Sequence, residues 1–229
     1  MRRFAALSPL QGPTLAGVGI ATALLFFVGL GADLPALRLA TKPVPALALA
    51  AWVLLRCREP LGRLTAAGLA LSAVGDGLLE NDAFLPGLFA FLGAHLAYIA
   101  AFVVADRRPA LGRAVPFLAW GLGALLLLRP GLGSMAAPVA VYVAVVCSMM
   151  WRAAARVGSP TTPALAAALG LVGAVAFGTS DTLIAFDRFA RPIPGAAWPI
   201  MLLYWLGQCG IAASAVTACG MLPGQVRTR

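Results

Sequence analysis

Long apolar runs constrain this chain more than any other feature of its sequence. A helix needs roughly 17 to 25 apolar residues to cross a bilayer. Runs of about this size lie at about 14–31, 43–55 with its flanks, 64–80, 84–105, 113–129, 134–151, 162–186 and 198–220. With 61% hydrophobic and 11% charged residues, the composition excludes an ordinary soluble domain. We predict an all-α polytopic membrane protein with eight transmembrane helices, forming a single integral membrane domain over residues 1–229.

Two of these runs have special features. Arg2 and Arg3 precede the first run, but no small-residue cleavage site closes it, so we expect a retained first helix. Pro43 and Pro45 interrupt the second run, which we therefore expect to begin irregularly.

The basic residues predict the orientation of the chain. Eight crossings place both termini on one side, and cytoplasmic loops carry the excess of Lys and Arg. Twelve of the 17 basic residues fall on the side of the termini: Arg2, Arg3, Arg56, Arg58, Arg63, Arg107, Arg108, Arg113, Arg152, Arg156, Arg227 and Arg229. The other side holds Arg38, Lys42, Arg129, Arg188 and Arg191. We therefore expect cytoplasmic termini and a bacterial inner membrane location.

Two aspartates lie inside apolar runs, in similar surroundings. The pattern D-x-L-[LI]-x-x-D-x-F begins at Asp76 and again at Asp181, an offset of 105 residues. Each acid precedes the second aspartate of its pattern by six residues, or about 9 Å of helix. The repeat predicts parallel third and seventh helices with carboxylates at one depth, and a pseudo-repeat of helices 1–4 and 5–8. Because an ionisable side chain in lipid is costly, a shared wet cavity is the functional interpretation, and a structural hydrogen bond is the alternative.

Other polar residues map to the same region. His95 and Tyr98 share a face of the fourth predicted helix, and Tyr204 and Gln208 share a face of the eighth. Lys42 stands at the outer mouth of the second run, where it could meet an anionic head group. The alternative for His95 is a hydrogen bond to a backbone carbonyl or neighbouring hydroxyl, and for Tyr204 and Gln208 it is interhelical packing. For Lys42 the alternative is snorkelling to lipid phosphate. Near the surface, Glu80, Asp82 and Asp187 are expected to be solvated helix ends.

Several classes of function are disfavoured. The basic residues lie in short loops rather than on one soluble face, which argues against nucleic acid as a partner. His95 is the only histidine, so a multi-histidine metal centre is excluded. We expect no metal and no cofactor, with a carboxylate-only magnesium or calcium site as the alternative. Neither G-x-S-x-G nor a phosphate-binding loop occurs. Without C-x-x-C spacing, the four cysteines, Cys57, Cys147, Cys209 and Cys219, are interpreted as small core residues rather than as a disulfide framework.

Two buried carboxylates suit general acid and base catalysis, since burial and mutual repulsion keep one protonated while the other stays ionised. Such a pair can protonate one atom and activate water at its neighbour, as in cleavage through an oxocarbenium ion. An enol ether follows this logic: protonation of its β-carbon, addition of water and collapse of the hemiacetal give an aldehyde and an alcohol.

A series of short motifs carries a family resemblance. These are Thr41-Lys42-Pro43, Ser72-x-x-Gly75-Asp76-x-Leu78-Leu79, Phe89 to Phe102 with His95 and Tyr98, Ser180-Asp181, and Tyr204-x-x-Gly207-Gln208. In order and spacing the series resembles the YhhN family of membrane proteins, the lysoplasmalogenases. The resemblance implies an eight-helix membrane enzyme that hydrolyses the vinyl ether of lysoplasmalogens, with a lysolipid substrate and membrane lipids as partners.

The resemblance also nominates site residues. Asp76 and Asp181 are expected to share the acid and base tasks as the catalytic pair. Lys42, His95, Tyr98, Tyr204 and Gln208 are expected to bind substrate. In this set we expect Lys42 on the phosphate, and His95, Tyr98 and Gln208 orienting water or stabilising charge. A proton-coupled transporter is the alternative, since paired membrane acids also relay protons, and a scaffold without chemistry is a third.

Overall fold

The computed structural model describes residues 11–220, which form a bundle of helices without strands. The helices are α1 (Gln11–Gly31), α2 (Pro35–Thr41), α3 (Val44–Arg56), α4 (Pro60–Glu80), α5 (Phe84–Ala105), α6 (Val115–Leu132), α7 (Ala136–Ala155), α8 (Ala164–Phe189) and α9 (Ala197–Gly220). Short 3-10 turns at Leu111–Ala114 and Gly133–Met135 precede α6 and α7. The predicted all-α architecture is confirmed.

Within the described residues, six helical stretches are long and apolar enough to cross a membrane. They are Gly12–Gly31, Pro35–Arg56, Phe84–Ala105, Leu111–Ala155, Ala164–Phe189 and Ala197–Gly220. The Leu111–Ala155 stretch contains both α6 and α7, and the Pro35–Arg56 stretch contains α2 and α3, which meet at Lys42 and Pro43. Helix α4 falls outside this set, since Arg63, Asp76 and several glycines dilute its apolar residues.

The closest helix packing joins α8 to α9 and depends on glycine. A Cβ placed on Gly173 of α8 would lie 2.7 Å from the Ile211 nitrogen, and one on Gly207 of α9 would lie 2.8 Å from the Phe177 nitrogen. The two backbones are therefore in contact, as small residues permit in membrane bundles. Helix α9 also packs against α3 and α4, so it lies between α4 and α8.

Side-chain contacts join loops at each end of the bundle. At one end, which we call the cavity end, Arg38 and Lys42 meet Glu80, and the Arg188 guanidinium lies 3.9 Å from the centre of the Phe84 ring. At the other, the basic end, Arg152 donates to the backbone carbonyls of Asp106 and Arg108, and Arg156 donates to Ser214 Oγ.

A disulfide bond differs from the predicted state of the cysteines. Cys57, after α3, and Cys219, in the last turn of α9, form a disulfide with their Cα atoms 5.7 Å apart. The prediction that they are unpaired core residues is wrong, because sites 162 residues apart in sequence are brought together only by the packing of α3 on α9. Cys147 is a free, buried thiol, as expected, whereas the free thiol of Cys209 is exposed.

Candidate functional site

A polar cavity of about 670 Å³ opens at the cavity end of the bundle. Residues from α1, α2, α4, α5, α8 and α9 line it, together with Lys42 and Asp82 from the connecting loops. Both Asp76 of α4 and Asp181 of α8 are in its wall. Within the described residues α4 and α8 do not pack side by side, so the two acids meet a common space rather than a common helix contact.

Asp76 is almost completely buried, with 1% of its surface exposed. Its Oδ2 atom accepts a hydrogen bond of 2.7 Å from the Tyr204 hydroxyl of α9. The neighbouring Gly75 lets α5 approach, because a Cβ there would lie 2.6 Å from the Phe91 ring. The Phe91 ring in turn contacts Tyr204 edge-on, which fixes the hydroxyl above the carboxylate.

Asp181 has a different set of partners. Its Oδ2 atom lies 2.9 Å from the Tyr142 hydroxyl of α7 and 2.9 Å from Nε2 of His95 on α5. With the proton on Nε2, the imidazole and the phenol both donate to one carboxylate oxygen. His95 is fully buried and does not line the polar cavity, so it contacts that space only through Asp181.

Tyr142 is the site residue that the sequence motifs do not contain. A signal for it exists in the composition: the chain has three tyrosines, all within apolar runs. A buried tyrosine hydroxyl usually needs a hydrogen-bond partner. All three hydroxyls indeed bond to predicted site residues, since Tyr98 Oη donates to Gln208 Oε1 at 2.6 Å.

Tyr98 and Gln208 form a separate buried cluster, with Ser72 Oγ 3.5 Å from the tyrosine hydroxyl. Neither residue lines the polar cavity. The reason is Phe177, whose ring contacts those of His95, Tyr98 and Tyr204 and fills the centre between them. Gln208 keeps a buried amide nitrogen without a partner among the described residues.

Charged side chains surround the mouth of the polar cavity. Glu80 accepts from Arg38 at 2.7 Å and from Lys42 at 3.0 Å. Its side chain is only 11% exposed, so the prediction of a solvated helix end is wrong for Glu80. Instead, the Glu80 carboxylate is held by ion pairs with the two cations of the α2 segment. Arg188, Asp82 and Asp187 also line the cavity, and Asp82 is exposed as expected. Arg38, which the charge pattern relates only to orientation, also lines the polar cavity.

The part of the chain that the structure describes has no set of side chains typical of a metal site. Within residues 11–220, no group of three or more His, Cys, Asp or Glu side chains is placed to hold a metal ion.

The chain is similar in sequence to several known proteins. The chain is 36% identical to human "Lysoplasmalogenase TMEM86B" over 181 residues, which are 76% of this chain and 74% of that protein. It is 38% identical to bovine "Lysoplasmalogenase TMEM86A" over 159 residues, 65% of this chain and 63% of that protein. A "Lysoplasmalogenase" of Mycobacterium tuberculosis is 34% identical over 170 residues, 68% of this chain and 62% of that protein. No solved structure matches the chain.

The YhhN family model matches residues 37–215. This range contains both aspartates of the polar cavity, the residues that hydrogen-bond to them, and Lys42 and Glu80 at its mouth. The family resemblance carried by the sequence motifs is therefore confirmed, and the chain belongs to the YhhN family.

Proposed function

We propose that this chain is a lysoplasmalogenase: it hydrolyses the vinyl ether bond of a lysoplasmalogen to a fatty aldehyde and a glycerophospho-ethanolamine or -choline. The observation that carries the proposal is the polar cavity, in which the buried Asp76 and the partly buried Asp181, from separate helices, face one space beneath a charged mouth. The mammalian and mycobacterial relatives that bear this name support the same activity.

The proposed reaction needs one water and regenerates both carboxyl groups. A carboxylic acid gives its proton to the β-carbon. The π electrons of the double bond form the new C–H bond, and the product is an oxocarbenium ion. Water adds to the α-carbon and loses a proton to the second, ionised carboxylate. The bond from the hemiacetal carbon to the glycerol oxygen then breaks as that oxygen receives this proton. The hemiacetal hydroxyl returns its proton to the first carboxylate, and the aldehyde leaves.

The hydrogen bonds support a division of the two tasks between the aspartates. Asp181 receives two donors on one oxygen, from Tyr142 and His95, an arrangement that stabilises an ionised carboxylate as general base. Asp76 receives one donor, from Tyr204, and acts as the acid. His95, Tyr142 and Tyr204 are positioning residues. The Tyr98–Gln208 hydrogen bond joins α5 and α9, the helices that carry His95 and Tyr204.

The charged mouth suits a zwitterionic head group. Arg38, Lys42 and Arg188 supply cations for the phosphate, and Asp82 and Asp187 supply carboxylates for the ammonium group. Lys42 therefore binds the phosphate, as expected from the sequence, and Arg38 binds it as well.

We also propose that the chain, as one domain over residues 1–229, crosses the inner membrane eight times with cytoplasmic termini. The termini lie outside the described residues. Support comes from the loops: Arg56, Arg58, Arg107, Arg108 and Arg113 all lie in or beside the loops of the basic end. Helices α4 and α8 correspond to the third and seventh predicted membrane helices. Both run in the same direction and end at the polar cavity, which supports the pseudo-repeat of predicted helices 1–4 and 5–8.

Purified protein in detergent tests the activity. Fatty aldehyde should be released from a lysoplasmalogen, while a lysolipid with a saturated alkyl ether should release none, because it cannot be protonated to an oxocarbenium ion. A transporter would release no aldehyde in detergent and would instead show proton-coupled uptake in liposomes. That second result would overturn the proposal.

A further inference from the structure

A second, apolar cavity adjoins the polar one. This narrow crevice of about 70 Å³ is lined mainly by hydrocarbon side chains of α5 to α8, among them Leu88, Trp120, Ala124, Leu128, Val146 and Cys147. On α7 its lining extends from Val139 to Met150, which is about 16 Å of helix. The crevice thus runs along the helix axes.

The crevice and the polar cavity share part of their walls. Leu79, Phe84, Phe91, Asp181 and Ile184 line both. Asp181 is therefore the carboxylate at the junction between a charged, wet space and an apolar one. In a lysoplasmalogen the vinyl ether has the same place, since it joins the polar glycerophospho head to the hydrocarbon chain.

We propose that the crevice is the subsite for the alkenyl chain of the substrate, an inference that rests on the proposed function. With the head group in the polar cavity and the chain in the crevice, the reacting carbons lie at Asp181. Within the described residues α5 and α6 make at most a weak contact, and we place the entry for a chain arriving from the bilayer between them. Trp120 forms a fixed wall, because its indole nitrogen donates to Thr182 Oγ1 at 3.1 Å.

A larger apolar groove offers the competing position for the chain. It measures about 510 Å³ and lies between α1, α3 and α9, with Trp52, Trp205 and Cys209 in its wall. No residue that lines this groove also lines the polar cavity. A chain held there would not continue from a head group in the polar cavity.

The two free cysteines distinguish these positions in one experiment. Cys147 lines the crevice and Cys209 lines the groove. Purified protein is treated with N-ethylmaleimide, with and without a lysolipid carrying a saturated long-chain alkyl ether, which binds but is not hydrolysed. We expect at least about tenfold slower labelling of Cys147 and unchanged labelling of Cys209. Protection of Cys209 alone, or of neither thiol, would overturn the proposal.

Substrate length provides the second arm. Ala124→Phe fills the crevice, whereas the control Leu127→Phe adds the same ring at a site that is 67% exposed to the membrane side of α6. We expect Ala124→Phe to lower kcat/KM about tenfold for an octadecenyl substrate relative to an octenyl one, since about two methylene contacts are lost. Leu127→Phe should leave that ratio unchanged. An equal effect of Ala124→Phe on both substrates would contradict the subsite.

The arms also separate this inference from the proposed function. If wild-type protein releases no aldehyde, the proposed function fails, whatever the labelling result. If aldehyde is released but a reactive Cys147 is not protected, or Ala124→Phe affects both substrates equally, only the subsite fails. Should Ala124→Phe fail to fold, Ala124→Leu takes its place with the same expected direction, and an unreactive Cys147 leaves the length comparison to decide.

Discussion

Asp76 and Asp181 differ in their donors, and that difference separates their proposed tasks. One tyrosine donates to Asp76, whereas a tyrosine and a histidine meet the same oxygen of Asp181. The repeated D-x-L-[LI] pattern predicts two equivalent acids, and it contains nothing that would distinguish them. Their different surroundings come from α5, α7 and α9, whose residues lie outside the pattern.

Replacing Asp76 by Asn should remove the acid without removing the hydrogen-bond acceptor for Tyr204. We expect aldehyde release to fall by about 10²-fold or more, the usual contribution of a general acid. The assay is initial rate on a lysoplasmalogen, with folding checked by elution as a monodisperse species. Glu59→Gln, a neutralisation at the exposed start of α4, is the control. Undiminished activity of Asp76→Asn would rule out this acid.

Tyr142→Phe tests the residue that the motifs do not contain. Loss of one donor to a charged acceptor should lower kcat/KM about tenfold to a hundredfold. It should also shift the limb of the pH-rate profile that reports protonation of the general base. Tyr98→Phe removes a hydroxyl from the cluster outside the polar cavity, so it should lower thermal stability more than kcat/KM. If both variants behaved alike, Tyr142 would have no special relation to Asp181.

At the scale of elements, the short α2 helix brings cations to the polar cavity. Pro35 starts α2, and Pro43 separates it from α3, so Arg38 and Lys42 lie beside the end of α4 rather than in a continuous membrane helix. The prolines in the sequence predict an irregular segment there. They do not predict that Glu80 is its partner.

Lys42→Met should weaken the binding of the phosphate. We expect KM to rise about tenfold, as for the loss of one charge-assisted hydrogen bond, with a smaller change in kcat. Steady-state kinetics on a lysoplasmalogen measure this split. Arg129→Met, which removes an exposed cation near the end of α6 outside the polar cavity, should leave KM unchanged. Equal effects of the two substitutions would point to a general charge effect.

The disulfide between Cys57 and Cys219 joins α3 to α9 across 162 residues. Cross-links that close long loops typically stabilise by about 2–4 kcal/mol. Reductant should therefore lower the thermal midpoint of the purified protein, and the Cys57→Ser/Cys219→Ser double variant should already have the lower midpoint and be insensitive to reductant. A Cys209→Ser variant is the matched control and should respond to reductant like the wild type.

For the whole molecule, the proposed eight crossings assign each end of the bundle to a side. A cysteine introduced at Arg191 should react with a membrane-impermeant maleimide from outside intact cells, whereas one at Gly112 should react only after permeabilisation. Both positions are exposed loop or turn sites at opposite ends of the bundle. The reverse labelling pattern would invert the orientation, and labelling of both without permeabilisation would exclude the crossing number.

Much of this protein was determined by the sequence alone. Apolar runs in the chain require helices, because a backbone in lipid must satisfy its own hydrogen bonds. Asp76, Asp181 and Lys42 are conspicuous because charge is costly among apolar residues. The series of short motifs is sufficient to indicate the YhhN family. All of these are properties of a residue and its neighbours along the chain.

Tertiary structure decided which polar groups meet. Packing of α7 brings Tyr142 to Asp181, α9 brings Tyr204 to Asp76, and the Phe177 ring keeps Tyr98 and Gln208 out of the polar cavity. It also paired Cys57 with Cys219, placed Glu80 between two cations and placed Asp181 where a polar and an apolar space meet. The physical reason is that these contacts join residues dozens to more than a hundred positions apart. Hydropathy and local spacing carry no record of which helix faces which.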